Sequence, residues 1–332
     1  MEARIRHQKP DNPLHSLRVL DGGLATELEF LGADLSGPLW SAHVLENQPE
    51  LVLAVHRAYL EAGAGCIATA SYQVSRRGYA ELGLPRERAD AALLHAVALA
   101  RQACVDHAAA HPTAPQALVA ASLGPYGAAL HNGAEYHGNY DCSFADLVDF
   151  HCERLAVLAC PAAGLPAPDL LAFETIPSLE EARAILAALA EWPRLQAWLS
   201  FTCRDDRHLA HGEPLGDSVA ALLGDSVAGQ QNAGQLLGIG INCIPPQRVP
   251  ALLAELRPRC PLPILVYPNS GEQWDAVARR WTGSAASFEQ AAADWFALGA
   301  DVIGGCCRTR PEDIRSIARA ATEARNSSRP TR

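Results

Sequence analysis

Asp301-Val302-Ile303-Gly304-Gly305-Cys306-Cys307 is a short apolar run that ends in two glycines and two adjacent thiols. An apolar run of this length bounded by glycine reads as a buried strand, and the glycines permit a backbone turn sharp enough to aim both sulfurs at one point. Two cysteines so placed can share one soft metal ion, and a third completes a three-thiolate site. Gly238-Ile239-Gly240-Ile241-Asn242-Cys243, another β-type run that ends in cysteine with Pro245-Pro246 behind it, offers the third. The competing reading is that these thiols are small buried hydrophobes, since no Cys-x-x-Cys ladder accompanies them.

The pattern of a strand followed by a polar tip recurs along the chain. Apolar runs at 15–20, 66–70, 117–121, 169–173, 196–201, 236–241 and 264–267 precede the run at 301–303. Helical patterns separate them at 24–31, 49–62, 87–110, 144–158, 178–189, 250–256 and 288–298, and a last one follows at 311–324. Ser178 reads as an N-cap with Glu181 completing a capping box. Eight strands alternating with helices, without a linker or a shift in composition, predict a single-domain (β/α)8 TIM barrel over 15–325, between a polar arm at 1–14 and a polar tail at 326–332. No Gly-x-Gly-x-x-Gly follows the first strand, which disfavours the doubly wound alternative. In a barrel the chemistry gathers at the C-terminal ends of the strands, so Asp21, Thr69, Glu174, Cys243, Asn269, Cys306 and Cys307 are expected at one mouth. The long polar loop 128–142, with Glu135, Tyr136, His137 and Tyr140, is expected to lie over it as a lid or specificity element. The segment Gly216-Asp217-Ser218-Val219-Ala220 recurs at 224–228, a local duplication with no function assigned.

The totals agree with a soluble enzyme-sized domain: 332 residues, 49% hydrophobic and 19% charged. A net charge of −10 argues against nucleic acid as a partner. Ten cysteines in a chain whose start carries Glu2, Arg4, Arg6, Lys9 and Asp11 and no apolar core point to free thiols in a reducing, cytoplasmic setting. No apolar run is long enough for a membrane helix, and nothing in the sequence fixes an oligomeric state.

Chemically, a three-thiolate zinc site with one open position would hold a thiol substrate as its thiolate, electron-rich enough to attack carbon. Two carboxylates with hydroxyl and backbone groups around it match the ammonium and carboxylate of an amino acid. Asp21 is equally readable as a cap of the helix that follows. A thiol redox or metal-storage protein and a metal-free barrel with structural cysteines are the alternatives; the first lacks the expected Cys-x-x-Cys pair.

Read together and in order, Asp21-Gly22-Gly23, Thr69-Ala70-Ser71-Tyr72-Gln73, Gly124-Pro125-Tyr126-Gly127, Phe173-Glu174-Thr175, Gly240-Ile241-Asn242-Cys243, Tyr267-Pro268-Asn269-Ser270-Gly271 and Gly304-Gly305-Cys306-Cys307-Arg308-Thr309 resemble the homocysteine S-methyltransferase family over nearly the whole chain. The resemblance implies Zn2+ on Cys243, Cys306 and Cys307. It also implies homocysteine held by Asp21, Thr69 and Glu174, with the backbone of Gly22 and Gly23 sharing in that role. The stretches 266–272 and 122–126 look most like the plant and bacterial branch, which takes S-methylmethionine or S-adenosylmethionine as methyl donor, and less like the betaine-using branch. No cobalamin-binding or folate-binding extension is visible. The implied reaction is in-line transfer of methyl from the sulfonium to the homocysteine sulfur, giving methionine. Tyr72, Tyr126, Trp40 and Tyr267 are candidates for cation–π contact with the donor.

Overall fold

The computed structural model describes residues 12–35, 41–161, 163–224, 234–275, 280–283 and 287–327. In chain order the strands are β1 Cys66–Ala68, β2 Leu118–Leu123, β3 Leu170–Ile176, β4 Ala197–Phe201, β5 Leu236–Asn242, β6 Ile264–Tyr267, β7 Gln273–Asp275, β8 Arg280–Thr282 and β9 Val302–Ile303. Seven of them pair in parallel in the order β1-β2-β3-β4-β5-β6-β9, while β7 and β8 form a separate antiparallel pair.

The strands are buried on both faces, which is why they read as continuous apolar runs. Within β3, Leu171 and Phe173 pack outward beneath the helices, whereas Leu170 and Ala172 turn into the curled sheet beside Trp198, Leu265 and Tyr267. The outer layer is helical, from Leu24–Phe30 and Pro49–Glu61 to Pro311–Ser327. All ten cysteines are free, and Cys66, Cys104, Cys203 and Cys260 are buried, as their apolar neighbourhoods suggest.

Two expectations need correction. The first predicted strand, 15–20, is not one: Pro13–His15 is a 3-10 turn whose N-cap Asn12 accepts from the Leu14 N–H at 2.9 Å. Only Val19 and Leu20 reach the sheet, as single parallel bridges to Ile303 and Cys66. The result is a seven-stranded, curled, TIM-barrel-like sheet whose two edges, β1 and β9, both hydrogen-bond to this short segment, rather than a barrel of eight full strands. The N–H groups of His15, Ser16 and Leu17 are spent inside the turn on the carbonyls of Asn12 and Pro13, so the ladder begins late. The second correction concerns Glu181. Ser178 does cap the helix Leu179–Ala190, accepting from the Glu181 N–H at 3.2 Å, but the Glu181 carboxylate is turned into the core.

There it accepts from the Tyr126 N–H at 2.5 Å and the Tyr140 hydroxyl at 3.0 Å, with His151 Nε2 3.2 Å away. Arg154 Nη2 contacts His151 Nδ1 at 2.8 Å and its Nη1 donates to the Gly124 carbonyl at 2.9 Å. This network, centred on the buried side chains of Glu181, His151 and Arg154, fastens the loop after β2 to the helices Phe144–Ala159 and Leu179–Ala190. Among the described residues no helix is long and apolar enough to cross a membrane.

Candidate active site

The cysteines predicted to converge do so. Cys243 follows β5, Cys306 and Cys307 follow β9, and their sulfurs all lie within 4.8 Å of one another. Cys243 Sγ and Cys307 Sγ are 3.8 Å apart, far beyond a disulfide. Sulfurs about 2.3 Å from one tetrahedral metal ion are separated by about 3.8 Å, so this donor set fits a thiolate metal centre.

Main-chain and amide bonds fix the two cysteine segments against each other. Cys306 N–H donates to the Pro268 carbonyl at 2.8 Å, and the Cys307 carbonyl accepts from Ser270 N–H at 3.0 Å. Asn269 Oδ1 accepts from Cys307 N–H at 3.2 Å while its own N–H donates to the Ile244 carbonyl at 2.9 Å. Cys243 sits at φ +54°, Thr175 at +63° and Arg308 at +65°, left-handed values that non-glycine residues rarely adopt. Asn242, whose role the sequence did not reveal, couples two of these positions: its Oδ1 accepts from Thr175 N–H at 2.7 Å and its Nδ2 donates to Thr175 Oγ1 at 2.8 Å. Hydrogen bonds from Cys306 and Cys307, aided by Tyr136 and Asn269, pull the Cys243 thiol well below its ordinary pKa.

Asp21 is buried, and its Oδ2 accepts from the Ala68 N–H at 2.7 Å. Burial, with the charge of Glu174 adding to it, pushes the Asp21 carboxyl well up. Glu174 Oε1 accepts a short hydrogen bond from Ser122 Oγ, and burial raises its carboxyl to about 7. Both carboxylates are thus disfavoured as anions by burial, and the charge of Glu174 adds to this at Asp21, a penalty that a bound cation would relieve. Thr69 Oγ1 lies 2.6 Å from Ser71 Oγ and accepts from Ser122 N–H at 3.0 Å, which ties the ends of β1 and β2 together. The Gly23 N–H is committed to Thr309 Oγ1 at 3.0 Å, and that hydroxyl donates to the Cys306 carbonyl at 2.7 Å. A Cβ on Gly22 would meet the Tyr59 ring at 2.8 Å. Both glycines therefore let the first helix approach the cysteine loop closely.

Part of the loop 128–142 also reaches this centre. Its 3-10 turn Ala134–Tyr136 brings the Tyr136 hydroxyl to 3.5 Å from Cys243 Sγ. Glu135 has a buried Oε2 without a hydrogen-bond partner, and burial raises its carboxyl to about 7. Burial pushes the Tyr72 phenol well up, with the charges of Glu135 and Cys243 adding to it. Of the other aromatic candidates, Tyr267 accepts from Trp198 Nε1 at 3.1 Å, and Trp40 lies outside the described residues. Tyr126 stacks with Tyr140 and Phe150, and the Arg77 guanidinium sits 4.9 Å from its ring centre, so its face is already taken.

Comparison with known proteins gives this geometry a context. The family model described as homocysteine S-methyltransferase matches residues 18–321. A homocysteine S-methyltransferase of Bacillus subtilis is 42% identical over 309 residues, spanning 92% of this chain and 94% of its own. One of Zea mays is 41% identical over 314 residues, spanning 91% and 93%. Among solved structures, the metallated form of the homocysteine methyltransferase MmuM of Escherichia coli superposes with a TM-score of 0.79 at 42% identity, covering 91% of this chain and 96% of that one.

Proposed function

The chain belongs to the homocysteine S-methyltransferase family and is a methyltransferase, and from that premise we propose that it methylates homocysteine from a sulfonium donor, S-methylmethionine or S-adenosylmethionine, with Zn2+ as its metal. The observation that carries this reading is the convergence of the Cys243, Cys306 and Cys307 sulfurs within 4.8 Å at the strand ends. Zn2+ held by these three residues would supply the Lewis acidity that keeps a substrate thiol deprotonated near neutral pH.

The chain's own residues do the rest. Asp21 and Glu174, both raised in pKa by burial, take the α-ammonium of homocysteine, whose charge relieves the cost of keeping two carboxylates in one space. Thr69, with the backbone of Gly22 and Gly23, completes the amino-acid pocket, holding the strand ends and the cysteine loop at fixed separation. With the amino-acid end so anchored, the substrate sulfur points toward the cysteine centre.

The homocysteine sulfur then attacks the donor's methyl carbon. One S–C bond forms as the donor's S–C bond breaks, and that electron pair returns to the donor sulfur, which leaves uncharged. A thiolate and a sulfonium become two thioethers, so the step removes charge and is favoured where water is scarce. Holding both sulfurs in line supplies much of the remaining acceleration.

Glu135 supports a donor that carries net positive charge. Its unpartnered Oε2 suits the α-ammonium of a sulfonium amino acid, a group glycine betaine lacks, while Tyr72 and Tyr136 suit the sulfonium itself. The test is methionine formation from homocysteine by zinc-loaded protein, with S-methylmethionine, S-adenosylmethionine, glycine betaine and methyl-tetrahydrofolate offered in parallel and Cys307→Ala as control. Turnover with a sulfonium that vanishes in Cys307→Ala is the expected result. Turnover with betaine or the folate alone would overturn the donor assignment, and an active Cys307→Ala protein would overturn the metal one.

A further inference from the structure

We propose that Glu61, His107 and His111 form a second metal site, at the N-terminal end of the strands and so opposite the cysteine centre, for a divalent first-row ion such as Zn2+. His107 Nδ1 lies 3.1 Å and His111 Nε2 2.9 Å from the same oxygen, Glu61 Oε1. The three donor atoms all lie within 4.8 Å of one another. Ligands about 2.1 Å from a metal and set between 90° and 109° apart are separated by about 3.0–3.4 Å, so the imidazoles and the carboxylate already stand at close to coordination spacing.

Local sequence explains the placement. His107 lies in the last turn of the helix Arg86–Ala110, and His111 N–H donates to the His107 carbonyl at 2.8 Å, which keeps the two rings one turn apart. Pro112 forbids His111 a helical conformation and sends it to φ −127°, ψ 66°. The ring centres are 4.5 Å apart. Glu61 is the final residue of the neighbouring helix Pro49–Glu61. Both helices end here, just before β1 and β2 begin, so two negative helix termini and one carboxylate converge on a point that favours a cation.

Arg57, four residues before Glu61 on the same helix, is already paired with Asp106. Two imidazoles and a carboxylate are a donor set that zinc, copper and nickel prefer to calcium or magnesium. Glu61 and His111 are each about half exposed, at 53% and 44%, so an ion can enter directly and complete its shell with water. Bound there, it would clamp the ends of two helices.

The experiment counts Zn2+ bound at saturation by the full-length protein and by the His107→Ala/His111→Ala double variant. The expected result is one equivalent fewer in the variant, with methionine formation retained, whatever the cysteine centre binds. Glu61→Gln, which preserves side-chain shape, should weaken the same equivalent roughly tenfold or more. In the wild-type protein, added Zn2+ should shift the ring resonances of His107 and His111 in a histidine-selective NMR spectrum. That readout stands even if a variant fails to fold. Equal zinc counts in the two proteins, or His107 and His111 resonances that do not move with excess Zn2+, would overturn the proposal.

Discussion

Gly23→Ala places one methyl group between the first helix and the loop that carries two of the three sulfurs. Gly23 has φ −66° and ψ 92°, ordinary values for any residue, so the consequence is steric alone. The added Cβ would lie 2.5 Å from the Cys306 carbonyl oxygen, 2.9 Å from Thr26 Oγ1 and 3.2 Å from the Thr309 carbonyl. Ordinary contact begins at 3.4 Å, so the Cys306 carbonyl must retreat by 0.9 Å (3.4 minus 2.5), with Thr26 and Thr309 blocking the alternatives. Overpacking of this kind costs about 1–3 kcal/mol, and a misplacement near 1 Å beside the chemistry lowers rates by on the order of 100-fold. The expected outcome is a folded protein with weakened metal retention and kcat down by about two orders of magnitude. Metal content, melting temperature and methionine formation are the readouts, with Gly224→Ala, whose Cβ meets nothing within 4 Å, as the control. Full metal content with kcat within about twofold of wild type, a difference of only ~0.4 kcal/mol, would refute the coupling between this helix and the cysteine loop.

Cys307→Ser should bind little metal and lose at least about 100-fold in methionine formation, measured by metal analysis and product assay on the same preparation. Glu174→Gln removes one of the two carboxylates proposed to hold the substrate ammonium and should lower kcat/KM for homocysteine by roughly 10–150-fold, the equivalent of about 1.5–3 kcal/mol. Because the Glu174 carboxyl is raised to about 7 and the anion is the binding form, this contribution should grow as pH rises through 7 in the wild type and be missing from the variant's pH profile. His56 is fully buried with both ring nitrogens unpartnered, and burial lowers its pKa to about 4. Below pH 6.5 the unfolded chain takes up a proton there that the folded chain refuses, so stability falls between 6.5 and 4 by up to roughly 3 kcal/mol. Urea unfolding across that range should give a flatter profile for His56→Leu than for the wild type; parallel profiles would show that His56 is solvated or paired.

What could be read from the sequence was what local pattern determines. The run at 169–173 became β3 because its side chains are buried on both faces of the sheet, which leaves a continuous apolar signature. The cysteines were legible because thiols at strand ends share one mouth whatever the loop lengths between them. The segment 15–20 misled because its apolar residues do pack inside the sheet, Leu17 and Leu20 among them, without making a ladder beyond two bridges. Glu181 satisfied a capping-box pattern, yet its carboxylate went to partners 30, 41 and 55 residues away. A local cap is worth about 1 kcal/mol, whereas a buried carboxylate left unsatisfied costs more, so tertiary demand overrode local preference. Tyr136 was placed in a loop near the mouth, but no periodicity relates a loop residue to a sulfur 107 positions away.

Backbone conformation lies deeper still. Thr175, Cys243 and Arg308, three of the four non-glycine residues described with positive φ, all sit at the mouth. Each such conformation costs about 1–3 kcal/mol and persists only where surrounding bonds over-determine it. Here those bonds can be named: Thr175 N–H to Asn242 Oδ1 at 2.7 Å, Cys243 N–H to the Tyr267 carbonyl at 3.3 Å, and Arg308 N–H to Thr26 Oγ1 at 2.8 Å. Through these bonds Asn242 and Thr26 hold the backbone turns from which two cysteine segments depart. The three thiols are therefore aimed by the protein fold itself, and a metal ion entering the proposed site would meet ligands already gathered rather than having to gather them.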